Sequence, residues 1–214
     1  MGKIDIYWFL GDIILKILSK NEIKEASLIL KNNGLLAFPT ETVFGLGVVA
    51  TSYENYLKLV KIKNRHPDKP FTLMISKVEQ VEKYLEVDEM SRKIIKNLMP
   101  GPLTLILKAK KNIPEYVDHG TGFVGIRMPD DKFVLDLIDE VNEPLFVPSC
   151  NKADEAPCKN TSEVKAVFDK EIDACIDGNC VGGVPSTIIK EDAGKIILIR
   201  QGNMTLAEIN ERIK

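Results

Sequence analysis

Arginine, lysine, serine and threonine side chains gather in this sequence where short apolar runs end. Residues 39–47 read PTETVFGLG and set Thr40, Glu41 and Thr42 between two apolar segments. A strand end of this kind can turn its hydroxyls and backbone groups toward a cleft. It can equally fold them back onto the main chain of a crossover. Residues 58–69 read KLVKIKNRHPDK and set Lys58, Lys61, Lys63, Arg65 and Lys69 against one acid, Asp68. Lys63 and Arg65 fall at a helix end just before a proline. There they can converge on a polyanion such as a triphosphate, Lys as a point charge and Arg through paired N–H groups. The same run also suits a solvated helix face with a basic last turn.

Arg127 ends the apolar run 123–126 and precedes Met128-Pro129. It can take a carboxylate bidentately or pair with a nearby surface aspartate. Val147-Pro148-Ser149-Cys150-Asn151 follows another apolar run, and its backbone N–H groups can cradle phosphates together with the Ser149 and Asn151 side chains. Ser149 has no neighbouring histidine, so a hydrolase triad is not supported. Ser186-Thr187 and Arg200-Gln201-Gly202 add strand-edge hydroxyls and one more cation.

The elements that must position these groups follow an α/β pattern, with short apolar strands alternating with amphipathic helices. Helices are predicted over 21–32, 52–63, 88–98, 130–141 and 160–168, the first closed by Asn33-Gly34. Strands are predicted over 35–38, 44–50, 71–75, 103–108, 123–127, 145–147, 172–176, 187–189 and 196–199. Ser76 with Glu79, and Thr205 with Glu208, have capping-box spacing, and each predicts a helix start. The apolar stretch 4–18 is interrupted by Asp5, Asp12 and Lys16. It reads as a helix in an N-terminal extension, residues 1–20. It is too short for a bilayer span and lacks signal-peptide features. Residues 21–214 form the main domain.

Two glycine patterns invite a dinucleotide reading, GTGFVG at 120–125 and GLGVVA at 45–50. The first runs into a strand-like segment, and the second follows PTET instead of leading a helix, so neither fits. Tight turns account for such glycines. No GxxxxGK[ST] occurs, which excludes a P-loop. With 44% hydrophobic and 28% charged residues the chain supports a sizeable core in a soluble protein, and a net charge of −2 excludes a globally basic nucleic-acid binder. Cys150, Cys158, Cys175 and Cys180 contain no CxxC pair, and the only histidines are His66 and His119. Buried, reduced thiols in a cytoplasmic protein are expected, not a zinc site or a disulfide scaffold.

Taken in order, PTETVFGLG at 39–47, Lys63-Asn64-Arg65, Pro100-Gly101-Pro102-Leu103-Thr104, Arg127-Met128-Pro129, Pro148-Ser149-Cys150-Asn151, Ser186-Thr187 and Arg200-Gln201-Gly202 resemble the YrdC-like family. The resemblance implies an open, twisted mixed sheet with flanking helices and a large, positively lined cavity. It implies synthesis of threonylcarbamoyl-AMP and pyrophosphate from L-threonine, bicarbonate and ATP, with Mg2+ accompanying ATP and no organic cofactor. A separate transferase complex would then pass the threonylcarbamoyl group to tRNA, with no membrane involved. Carried over to this sequence, Thr42, Arg127, Ser186 and the backbone at Val147 would hold threonine, Arg127 on its carboxylate. Lys63, Arg65, Ser149, Asn151 and Arg200 would hold the nucleotide. Lys63, Arg65 and Arg127 would carry the catalytic charge, with no metal ligand and no general base assigned. The sequence departs from the family pattern at Lys69, Met74 and Met99, at Lys152-Ala153-Asp154 where Leu-Ser-Gly is common, and at Pro185 where Glu is common.

A rival reading is a non-catalytic module of the same fold that binds tRNA or double-stranded RNA. The basic run at 58–69 favours it, while the acidic net charge and the lack of an evident aromatic stacking platform oppose it. A carbamoyl-handling domain of the hydrogenase-maturation type would bring fused domains and zinc-finger cysteines, which this sequence does not show.

Overall fold

The computed structural model describes residues 15–66, 70–180, 184–192 and 194–214. The chain runs through β1 (Lys16–Leu18), α1 (Ile23–Lys31), β2 (Leu36–Pro39), β3 (Phe44–Val49) and α2 (Tyr53–Lys63). Next come β4 (Leu73–Met74), α3 (Glu79–Glu82), α4 (Glu89–Leu98), β5 (Leu103–Lys108), α5 (Glu115–Asp118) and β6 (Phe123–Arg127). It closes with α6 (Lys132–Val141), β7 (Leu145–Phe146), α7 (Thr161–Phe168), β8 (Ala174–Ile176), β9 (Thr187–Asp192), β10 (Lys195–Arg200) and α8 (Leu206–Arg212). Among the described residues the strands form one mixed sheet in the order β1-β8-β2-β3-β7-β4-β6-β5-β9-β10. The pairs β1/β8, β8/β2, β4/β6 and β5/β9 are parallel and the others antiparallel.

Both faces of the sheet are covered, and the period-2 alternation of strands sorts side chains between them. Phe44, Leu46 and Val48 of β3 enter a core with Leu59, Leu105, Ile126 and Phe146. Leu36 and Phe38 of β2 enter a second core, with Leu30 of α1 and Val134, Leu137 and Ile138 of α6. The two glycines of β3 serve this packing. A Cβ on Gly47 would stand 2.5 Å from Cε1 of Phe38, and one on Gly45 would stand 2.4 Å from Cγ1 of Val147. Neighbouring rings and branches fill the space that side chains would take, which explains the GLG pattern without a dinucleotide.

Caps set most helix boundaries where the sequence places them. The side chains of Ser52, Asp88, Asp131 and Asn160 accept hydrogen bonds from the backbone N–H groups of Asn55, Ser91, Val134 and Glu163. Thr205 and Glu208 complete a capping box at α8.

Three expectations change and one element is new. Residues 4–14 of the proposed N-terminal helix lie outside the described residues, while Lys16–Leu18 form a strand that pairs with β8. The strand expected over 71–75 contracts to Leu73–Met74. Ser76 does not cap a helix; its hydroxyl donates to Asp139 of α6 at 2.7 Å and its N–H donates to Gln80, so it braces a turn instead. The short helix α5 had no sequence signal, being a single turn whose Asp118 carboxylate accepts the N–H groups of Gly120 and Gly122. All four cysteines are free and buried. No described helix is long and apolar enough to cross a membrane.

Candidate active site

The turn between β2 and β3 carries Thr40, Glu41 and Thr42 beside the last residue of β6, Arg127. Thr40 organises this turn. Its hydroxyl donates to the Val43 carbonyl at 2.7 Å, accepts from the Thr42 N–H at 3.2 Å and lies 3.1 Å from the Thr42 hydroxyl. Nη2 of Arg127 donates to Oε1 of Glu41 at 2.6 Å and to Oγ1 of Thr42 at 3.0 Å. The arginine side chain is 12% exposed and the glutamate 19%, so water screens this pair only in part. Nε of Arg127 is buried without a hydrogen-bond partner.

Across from this turn, Ser186 precedes β9 and Arg200 ends β10. Arg200 donates to the Ser186 carbonyl at 2.9 Å, and the Ser186 hydroxyl lies 2.9 Å from that of Thr104 on β5. Thr42, Arg127, Val147, Ser149, Ser186 and Arg200 all line one cleft of about 240 Å³. Burial lowers the Arg200 pKa, and the neighbouring Arg127 adds to the effect. Two guanidinium groups facing one small cleft make it a receptor for an anion.

The loop after β7 zips along β3. Leu46 donates to the Pro148 carbonyl at 2.9 Å and Cys150 donates to the Phe44 carbonyl at 2.7 Å. This anchorage presents Ser149 and Asn151 beside the end of α2, which stops at Asn64 in the left-handed conformation. Lys63 turns inward there. Its ammonium donates to the carbonyl oxygens of Ser149 and Asn151, the latter at 2.8 Å, and to Oδ1 of Asn151 at 3.1 Å. Three protons thus meet three oxygens of the loop. Burial, the largest cause, brings the Lys63 pKa down to about 8. Arg65 lies over the Phe71 ring at 4.9 Å and donates to the Pro70 carbonyl at 3.1 Å. Lys63, Arg65, Ser149 and Asn151 line a second concavity of about 530 Å³.

The residues singled out from the sequence therefore fall on two concavities with Ser149 in the wall of both. Arg200, grouped with the nucleotide residues by resemblance, lines the cleft of Thr42 and Arg127. Lys63 grips the loop with its ammonium. Glu41 drew no role from the sequence, because its partner Arg127 lies 86 residues away. The basic run at 58–69 is divided. Lys58 bonds Glu54 and the Asn33 carbonyl, Lys63 is buried, and Asp68 and Lys69 lie outside the described residues. Tyr53, Tyr56 and Tyr116 do assemble an aromatic group, with ring centroids 5.2–6.0 Å apart, but among the described residues its hollow is shared by Glu115 and His119 and by no lysine or arginine. No described group of three or more His, Cys, Asp or Glu residues is placed to hold a metal. The hydroxyl, amide and cationic groups around Ser149 suit phosphate oxygens better than a metal ion.

The profile of the Sua5/YciO/YrdC family, described as telomere recombination, matches residues 28–202. A Bacillus subtilis protein named threonylcarbamoyl-AMP synthase is 33% identical over 207 residues, covering 94% of this chain and 59% of its own length. A Klebsiella pneumoniae protein of the same name is 29% identical over 188 residues, covering 86% of this chain and 98% of its own. The structure of P. abyssi Sua5 complexed with L-threonine superposes with a TM-score of 0.83 at 31% identity, over 94% of this chain and 60% of that one. This chain thus spans about three fifths of the longer relatives and nearly all of the shorter one. It belongs to the Sua5/YciO/YrdC family.

Proposed function

We propose that this Sua5/YciO/YrdC-family chain is an L-threonylcarbamoyladenylate synthase. It makes threonylcarbamoyl-AMP and pyrophosphate from L-threonine, bicarbonate and ATP, an intermediate for threonylcarbamoyl-adenosine in tRNA. The observation that carries this reading is the shared wall. Arg127, Thr42 and Ser186 line one concavity, Lys63, Arg65 and Asn151 line the next, and Ser149 lines both. A reaction joining an amino acid to a nucleotide needs two such sites side by side, and positioning supplies much of the rate.

In this mechanism Arg127 takes the threonine carboxylate, and the hydroxyls of Thr42 and Ser186 face its side chain. The ammonium first loses a proton to solvent, and the free amine then captures CO2 with release of a second proton, or captures bicarbonate with release of water, to form a carbamate. A carbamate oxygen attacks the α-phosphorus of ATP, the new O–P bond forms, the bond to the β-phosphate oxygen breaks, and pyrophosphate leaves. Arg65 and Arg200 offset the charge that builds on the phosphates. Lys63 contributes by holding the Ser149–Asn151 backbone in the shape that meets the nucleotide. Mg2+ would enter on the triphosphate, held mainly by phosphate oxygens and water, where it would neutralise phosphate charge. A cytoplasmic location and delivery to a downstream transferase complex belong to the same proposal.

The test is direct. Purified protein incubated with ATP, Mg2+, L-threonine and ¹³C-bicarbonate should yield labelled threonylcarbamoyl-AMP by mass spectrometry. Its absence, with intact protein and bound ATP, would overturn the assignment.

A further inference from the structure

Taking this cleft to be the amino-acid site, we propose that Glu41 receives the substrate's α-ammonium group. Glu41 and Arg127 together would then form a receptor for a zwitterion. The described residues that line the cleft include two cations, Arg127 and Arg200, and no aspartate or glutamate. A ligand with only an anionic end would suit that lining. An α-amino acid brings a positive charge on the carbon next to its carboxylate, and that charge needs a counter-ion within the same few ångströms.

Glu41 is the carboxylate already held against the lining. It lies 2.6 Å from Nη2 of Arg127, and Thr42 occupies the same nitrogen at 3.0 Å. Both protons of Nη2 are thereby engaged, and Nε is buried. A ligand carboxylate therefore approaches the Nη1 edge while Glu41 stays on Nη2. The ammonium, one carbon away from that carboxylate, then lies toward Glu41. An ionised carboxylate has two oxygens with room for several donors, so Glu41 can keep its bond to Arg127 and accept the ammonium as well. The pair is only partly exposed, which keeps its charges effective.

A purely structural Glu41 would act only through the orientation of Arg127, and a chemical double-mutant cycle separates the two roles. Calorimetry measures binding of L-threonine and of (R)-3-hydroxybutanoate, the same molecule without its amine, to the wild-type chain and to Glu41→Gln. The wild type should favour threonine by about tenfold or more, the scale of a charge-assisted hydrogen bond. Glu41→Gln should lose about tenfold in threonine affinity with little change for the analogue, so that the preference collapses. Glu41→Asp, which keeps the charge, should preserve a preference for threonine. Equal losses for both ligands, or unchanged threonine affinity, would overturn the role of Glu41. A wild-type chain that binds neither ligand would overturn the amino-acid reading of the cleft itself.

Discussion

Arg127 shares one nitrogen between Glu41 and Thr42, and Arg200 lies on the Ser186 carbonyl. These arrangements need the flat, many-donor guanidinium, which lysine cannot reproduce. Arg127→Ala is expected to lower kcat/KM for threonine by roughly a hundredfold, the scale of a lost charged contact. Arg127→Lys should recover little of it, and wild-type turnover in that variant would contradict the role. Lys63 sets a pH dependence. With its pKa brought down to about 8, it is an ammonium below that pH and an amine above it. The amine has two protons for three oxygens, so the Ser149–Asn151 loop loses a bond as pH rises. ATP affinity, measured by calorimetry at pH 6.5 to 9.5, should therefore fall through about pH 8. Affinity that is flat or rising across that range would remove Lys63 from the loop's support. The sequence was legible here as to which polar residues end near a concavity, because cations and hydroxyls at strand and helix ends are local signals. Where they point was not legible, because Lys63 reaches partners 86 and 88 residues away.

Among the elements, those fixed by short-range chemistry matched the reading. Asp88, Asn160 and Thr205 cap helices because their oxygens reach backbone N–H groups three residues on. Thr205→Ala should cost about 1 kcal/mol in denaturant unfolding. The elements that escaped the reading are short or depend on distant partners. Ser76 has the spacing of a cap, yet Asp139 takes its hydroxyl, and β4 keeps two residues because its partners β6 and β7 pair with it only at Leu73 and Met74. Gly47 tests the close packing of β2 on β3. Gly47→Ala should destabilise by about 2 kcal/mol or more, since the added methyl meets the rigid Phe38 ring. Unchanged unfolding would mean that the second core can move aside.

For the whole molecule, the α/β class follows from alternating apolar periods, but the strand order does not. β8 comes between β1 and β2, and β7 between β3 and β4, pairings that join residues far apart in sequence. That order brings the turn after β2, the end of β6, the start of β9 and the loop after β7 to one place. Two concavities with a common wall result, and the proposed chemistry rests on them. The most direct measurement is pyrophosphate release by the purified chain with ATP and Mg2+, with L-threonine and bicarbonate supplied singly and together. Release that requires both is predicted. Release from ATP alone, or none with both present, would contradict a synthase that joins a threonine carbamate to the α-phosphorus of ATP.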